Sequence, residues 1–218
     1  MNLMEAIQAR HSVRRYQSRP LPEEIIRILQ KEAAHLETLS GLKLALAVQE
    51  PDAFRGLLPC CGNFRNVENY FIISAPDLPN PGERAGYYGE SLVLLAQTLG
   101  LNTCWAAMTF RRRAVSLSPG FSLCCVIALG YGETAGVPHR SKPMSALCRT
   151  DSPAPQWFLQ GMEAAMLAPT SMNRQNFLLT RRGSQVHPEA KGLYAGIDRG
   201  IICRHFEIGA GTENFTWN

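Results

Sequence analysis

A chain of 218 residues is long enough to bury a real hydrophobic core, as one domain or as two small ones. With 45% hydrophobic and 18% charged residues it lacks the low-hydrophobicity, high-charge signature of disorder, so a folded globular protein is expected. Its net charge of +4 is mild and its basic residues form no long block, which argues against a nucleic-acid partner and suits a small anionic ligand.

In chain order, residues 3–9 predict a short helix that runs into the basic stretch Arg10-His-Ser-Val-Arg-Arg-Tyr16. Pro20-Leu-Pro22-Glu-Glu opens a second helix, because proline and acids suit a first turn, and its stripe is Ile25, Ile26, Ile28, Leu29, Ala33 and Leu36. Strands are expected over 42–48 and, more strongly, over 70–74, which the breaker-rich run of residues 75–82 closes. Residues 85–99 predict a helix buried on nearly all sides, stopped by Gly100. A strand over 123–129 and the loop of residues 130–143 follow.

The order then repeats. Met144-Ser-Ala-Leu matches Met4-Glu-Ala-Ile, and Pro153-Ala-Pro155 opens a helix carrying Glu163-Ala-Ala165, as Pro20-Leu-Pro22 opens one carrying Glu32-Ala-Ala34. Leu193-Tyr-Ala-Gly-Ile-Asp198 onward matches Tyr87-Tyr-Gly-Glu90 onward. The shared order predicts an internal duplication, with a first half over 1–140 and a second, shorter half over 141–218, packed as one unit.

Two polar stretches stand out, one in each half: the basic cluster at 10–16 and Ala168-Pro-Thr-Ser-Met-Asn-Arg-Gln-Asn-Phe177. Three arginines within a few residues offer the charge-assisted hydrogen bonds a phosphate dianion requires. The Thr, Ser, Asn and Gln of the other stretch offer mixed donors and acceptors for a flat heterocycle. Together they suggest a flavin mononucleotide site.

Competing readings are blander. Alone, the basic cluster reads as a solvated helix end, and Arg111-Arg-Arg113 reads as exposed surface. His35, His187 and His205 are too scattered for metal ligation, and no metal is expected. Trp105, Tyr87 and Tyr88 read as core, and Glu90 and Asp198 as partners of helix dipoles. Seven cysteines, Cys60, Cys61, Cys104, Cys124, Cys125, Cys148 and Cys203, show no C-x-x-C and an odd count, which argues against a disulfide framework and favours small buried hydrophobes. Neither a signal-peptide core nor a membrane-length apolar run is present, so a soluble, cytoplasmic protein is expected. No nucleophile triad, phosphate loop or dinucleotide fingerprint occurs.

The segments EAIQARHSVRRY, LGLNTCW, GYGE followed by PHRSKP, and APTSMNRQNF resemble the FMN-dependent nitroreductase family over most of the chain. In ordinary members the Ser-x-x-Asn-x-Gln segment follows the Arg-His-Ser segment within a few dozen residues. Here it falls in the second half, as in a compact branch in which one chain mimics the family's two-subunit dimer. The resemblance implies an α+β fold, a mainly antiparallel sheet surrounded by helices, with one complete FMN site and an empty mirror site.

By the same resemblance, Arg10 and Ser12 contact phosphate and ribityl, His11 adds a donor, and Arg14 is the cation near the pyrimidine edge. Arg140 and Lys142 close over the phosphate. Ala106 and Ala107 lie where a backbone amide meets flavin N5, and Pro169, Thr170, Ser171, Asn173 and Gln175 line the ring. NAD(P)H would be a transient donor, and a nitroaromatic or quinone the small-molecule acceptor. A flavin-binding or FMN-storage protein without turnover, and a specialised flavin oxidase or dehalogenase, are the alternatives. A monomeric pseudo-dimer is favoured over a homodimer.

Overall fold

A computed structural model describes residues 1–56 and 62–218, so the Cys60 and Cys61 reading lies outside the described residues. Helix α1 (Leu3–Ala9) opens with a reciprocal cap in which the Asn2 side chain accepts from the Glu5 amide while the Glu5 carboxylate accepts from the Asn2 amide. Helix α2 (Glu23–Ser40) starts behind Pro22 with Glu23 and Glu24 in its first turn and ends at Gly41, whose φ of 71° is the left-handed stop that a residue without Cβ adopts freely.

Strands β1 (Lys43–Ala47) and β2 (Asn69–Ala75) lead into helix α3 (Pro81–Thr98). That helix begins four residues before the predicted 85, because Pro81 takes its first position, where a missing N–H costs nothing. Strands β3 (Asn102–Ala106) and β4 (Ser122–Gly130) complete an antiparallel sheet of order β1-β2-β4-β3.

Beyond residue 140 come β5 (Cys148–Thr150), α4 (Gln156–Ala165), β6 (Phe177–Arg182), β7 (Gln185–Ala190), α5 (Ala195–Ala210) and β8 (Thr216–Trp217). These four strands form a second sheet, β5-β6-β7-β8, antiparallel at its centre and parallel at both edges. The chain is therefore mixed helix and mainly antiparallel strand, as expected, but with two sheets instead of one. Met144–Ala146, expected as the counterpart of α1, is a single 3-10 turn.

Helices α3 and α5 lie between the sheets and touch backbone to backbone. Gly82 and Gly86 on α3, and Gly196 and Gly200 on α5, are each four apart and so share a face. A Cβ at Gly86 would collide with the Ile197 carbonyl, and one at Gly200 with the Glu83 carbonyl. The contact is reciprocal: Gly86 corresponds to Gly200 and Glu83 to Ile197, a register different from the motif pairing of Gly89 with Gly196.

The core fills both sides of this crossing. Phe71, Ile73, Leu92 and Ile127 pack between α3 and the first sheet, and Phe158, Phe206 and Phe215 pack within the second half, with Trp157 stacked on Phe215 at 5.8 Å. Cys104, Cys125 and Cys203 are buried and unpaired, as small hydrophobes are. Burial pushes the Cys125 thiol well up and that of Cys203 to about 12, which removes nucleophilic character. No helix among the described residues is long and apolar enough to cross a membrane.

Candidate active site

The basic segment is fixed by its own tyrosine. Tyr16 is buried, and its hydroxyl donates to the Val13 carbonyl at 2.6 Å, folding residues 13–16 back on themselves. Upstream, the Val13 amide donates to the Thr103 carbonyl at 3.0 Å and Ser12 bridges Thr103 in parallel, so the segment runs beside β3. Burial raises the Cys104 thiol, two positions from Ala106 on β3, while the charges of Arg14 and Arg10 and the neighbouring Ser12 lower it. Ala106 is buried, Ala107 half-buried and Arg14 exposed.

Arg10 does not lie in solvent, as a bare helix end would. Its side chain is 3% exposed, with Nε 3.9 Å from Oε1 of a fully buried Glu90. Burial lowers the guanidinium pKa and the Glu90 charge raises it, leaving a cation. Glu90 also accepts from Nε2 of His205 at 2.8 Å and from Nε1 of Trp105 at 2.9 Å. His205, buried as deeply, directs Nδ1 at the Ala164 carbonyl, 3.1 Å away.

Glu90 is thus no helix-dipole partner: it sits in the middle of α3 and joins α1, β3 and α5. Nor is His205 isolated. Their pairing spans 115 residues of sequence, and no local pattern announces it. Two buried polar atoms here have no hydrogen-bond partner, Arg10 Nε and His11 Nδ1. Such orphans are rare in native folds and point to a polar group that the protein alone does not supply.

The second segment is shaped by unusual backbone. Ser171–Asn173 forms a 3-10 turn after Thr170, and Met172, Asn173 and Gln175 carry φ of 51°, 50° and 47°. Left-handed backbone costs a non-glycine residue on the order of 1–3 kcal/mol. Gln175, 2% exposed, offsets this with hydrogen bonds of its own: its amide donates to Thr170 Oγ1 (3.0 Å), its Oε1 accepts from the Lys142 amide (2.8 Å), and its Nε2 donates to the Arg140 carbonyl (2.6 Å) and to Asn173 Oδ1 (3.0 Å). Asn173 Nδ2 also donates to the Arg140 carbonyl, at 3.0 Å.

The Arg140 and Lys142 loop is thereby the bridge between the two stretches. Its far end passes over the basic segment, where a Cβ on Gly136 would lie 2.6 Å from that of His11. Burial, the Arg10 charge and the neighbouring His205 and His11 rings hold His139 below the usual histidine range, and its Nε2 lies 3.3 Å from Gln175 Nε2. Among the predicted residues, the structure gathers Arg10, Ser12 and Arg14 around β3, and Thr170, Asn173, Gln175, Arg140 and Lys142 in one hydrogen-bonded group. Pro169, half-buried, makes no side-chain bond. The Arg140 side chain is exposed, while Lys142 Nζ donates to the Gln175 carbonyl at 3.2 Å. Two open clefts of about 340 and 550 Å³ lie elsewhere and contain none of these residues.

Asp198, in the first turn of α5, accepts the Ser171 amide at 2.9 Å. Burial raises its pKa to about 6, against the pull of that hydrogen bond. A raised folded pKa means that folding favours the proton: the associated stability is full below the ordinary 3.8 and is lost as pH rises through about 6. Asp198→Asn is therefore expected to be stabler than the parent chain at pH 8 in urea titrations, with the advantage shrinking between pH 7 and 4. An advantage constant across that window would contradict the assignment.

The family model described as "Putative TM nitroreductase" matches residues 2–210. Among solved structures, a putative nitroreductase from Thermotoga maritima MSB8 superposes with a TM-score of 0.67 at 22% identity, covering 96% of this chain and 83% of that one. A putative nitroreductase in complex with FMN from Desulfovibrio desulfuricans superposes at 0.56 and 18% identity, covering 71% and 99%. A putative NADH dehydrogenase/NAD(P)H nitroreductase from Bacteroides thetaiotaomicron reaches 0.55 and 18%, covering 66% and 95%. No curated protein matches. The identities are low enough that these structures establish the fold alone, and it is the match over nearly the whole length that places this chain in the nitroreductase family of oxidoreductase enzymes.

Proposed function

We propose that this protein is an FMN-dependent oxidoreductase that takes a hydride from NAD(P)H and delivers it to an electron-poor small molecule such as a nitroaromatic or a quinone. The observation that carries the reading is Arg10: a nearly inaccessible guanidinium with an orphaned Nε, next to the orphaned His11 Nδ1. A phosphate would satisfy such groups. Arg10, His11 and Ser12 would hold it, with Lys142 and Arg140 closing the entrance. Arg14 would stand at the pyrimidine edge, Ala106 and Ala107 would offer backbone, and Pro169, Thr170, Ser171, Asn173 and Gln175 would line the ring from the other half.

Bound FMN supplies the two-electron chemistry, and the protein orients it and tunes its electronics. A cation at Arg14 favours the negative charge that reduction places on the ring. The reading extends to a duplicated chain, 1–140 and 141–218, acting as a monomer in the cytoplasm without nucleic-acid partners. In its favour, each sheet lies wholly within one half and the α3–α5 contact is reciprocal.

Fluorescence titration with FMN, followed by anaerobic addition of NADH or NADPH, tests the proposal. One FMN per chain, bleached on addition, is expected. A flavin that binds and never bleaches would identify a binding protein, and two per chain would defeat the single-site reading. Arg10→Ala removes charge-assisted hydrogen bonds worth on the order of 1.5–3 kcal/mol, or roughly ten-fold or more in affinity. Arg111→Ala, at an exposed position, should leave affinity unchanged. Equal losses would mean that general surface charge had been mistaken for a site.

A further inference from the structure

Between α4 and β6 the chain must hold Met172, Asn173 and Gln175 in left-handed backbone, in the segment read above as lining the flavin. At its C-terminal end the segment is tied to the 140–142 loop, which is itself exposed and carries no regular secondary structure. At its N-terminal end, the tie to the helical core is the bond from the Ser171 amide to Asp198 Oδ1. The amides of Asn173 and Arg174 are spent locally, on Thr170 and Ser171 carbonyls at 2.8 and 3.1 Å. Asp198 is the N-terminal anchor of the segment.

Among the described residues its side chain makes no other hydrogen bond. Asp198 is 8% exposed, and no basic group among the described residues pairs with it. Its backbone amide donates to the Tyr194 carbonyl at 2.9 Å, as a fourth helical residue should, while its carboxylate turns away to reach Ser171. Burying an unpaired carboxylate works against folding. The placement makes sense for a group that reaches out of α5, the helix that also carries His205, and sets the height of the ring-lining segment against Arg10.

We propose that Asp198 is a positioning residue for the cofactor: by holding the Ser171 amide it presents Thr170, Ser171 and Asn173 in the conformation that flavin binding requires. The proposal rests on the functional reading above, and the experiment separates the two. Hydrogen exchange at residues 169–176 is measured in the full chain without flavin, and FMN affinity by fluorescence, for the parent, Asp198→Ala and Asp198→Asn. Asparagine keeps the size and an oxygen that accepts the Ser171 amide, so it should restore what alanine loses.

The expected result is at least ten-fold faster exchange at Ser171 and at least ten-fold weaker FMN binding in Asp198→Ala, with both mostly recovered in Asp198→Asn. Unchanged exchange in Asp198→Ala would overturn the anchor. Faster exchange with unchanged affinity would overturn its role toward the cofactor. A parent chain that takes up no FMN would overturn the functional reading, and this role with it, even where the exchange data establish the anchor. Should Asp198→Ala fail to fold, Ser171→Pro deletes the same bond from the loop side; Thr170, at φ −112° and ψ 159°, already has the extended backbone that precedes proline. Its affinity must then fall ten-fold below that of Ser171→Ala, which keeps the amide, or the proposal fails.

Discussion

Glu90→Ala is expected to lower the unfolding free energy by about 3–5 kcal/mol, the range seen when one partner of a buried ion pair is removed. Two donors lose their acceptor at once, His205 Nε2 and Trp105 Nε1, and the buried Arg10 cation loses the carboxylate 3.9 Å from its Nε. Neither Arg10 nor His205 can turn to water, since they are 4% and 0% exposed. For a chain of this size the melting temperature should fall by roughly 6–20 °C. Glu90→Gln should cost less, because the amide oxygen can still accept from Trp105 while the charge beside Arg10 is gone. The half-buried Lys43 and Glu37 pair at the surface, 3.0 Å apart, provides a contrast, and breaking it with Lys43→Ala should cost about 0.2–1 kcal/mol. Urea titration of the three variants decides the matter, and a Glu90→Ala chain as stable as Lys43→Ala would refute the idea of a buried hub.

Gly200→Ala should also destabilise strongly, against the intrinsic preference of helices for alanine over glycine by about 1 kcal/mol. The added methyl would collide with the Glu83 carbonyl and lie 2.6 Å from the Tyr87 amide nitrogen. Both are backbone atoms of a buried helix, so nothing small can yield, and overpacking costs typically about 1–3 kcal/mol and occasionally more. With the whole of α3 displaced, a net loss of about 3 kcal/mol and a melting temperature lower by roughly 6–12 °C are expected. Gly86→Ala, facing the Ile197 carbonyl, should behave alike. A variant that melts at or above the parent temperature would show that the helices can separate without penalty.

Much of the architecture was legible because its causes are local. The Pro-led start and periodic stripe of α2, the apolar run of α3 and the β-branched core of β2 and β4 each declare themselves within a dozen residues. The basic cluster and the Thr170 to Gln175 stretch were legible as chemistry for the same reason: their residue types are concentrated and out of place as core. Even the glycine spacing on α3 and α5 is written in the chain, although only contact between the helices gives it meaning.

What the sequence by itself determined, then, is the helices and, apart from β3, the strands of the first half, and which segments carry ligand-like polar groups; the strands of the second half were not placed by it. The tertiary structure alone decided the partners. Glu90 reads as a dipole partner until folding sets it against His205, 115 residues away, in a space dry enough that each donor must find an acceptor. Asp198 reads the same way until Ser171 is brought to it. Two sheets form instead of one because β5 and β8 pair in parallel with strands distant in sequence, a choice that side-chain pattern leaves open and that packing around the close α3–α5 contact resolves. Burial and long-range pairing are properties of the folded chain, and they turned two unremarkable acids into the anchors of the candidate site.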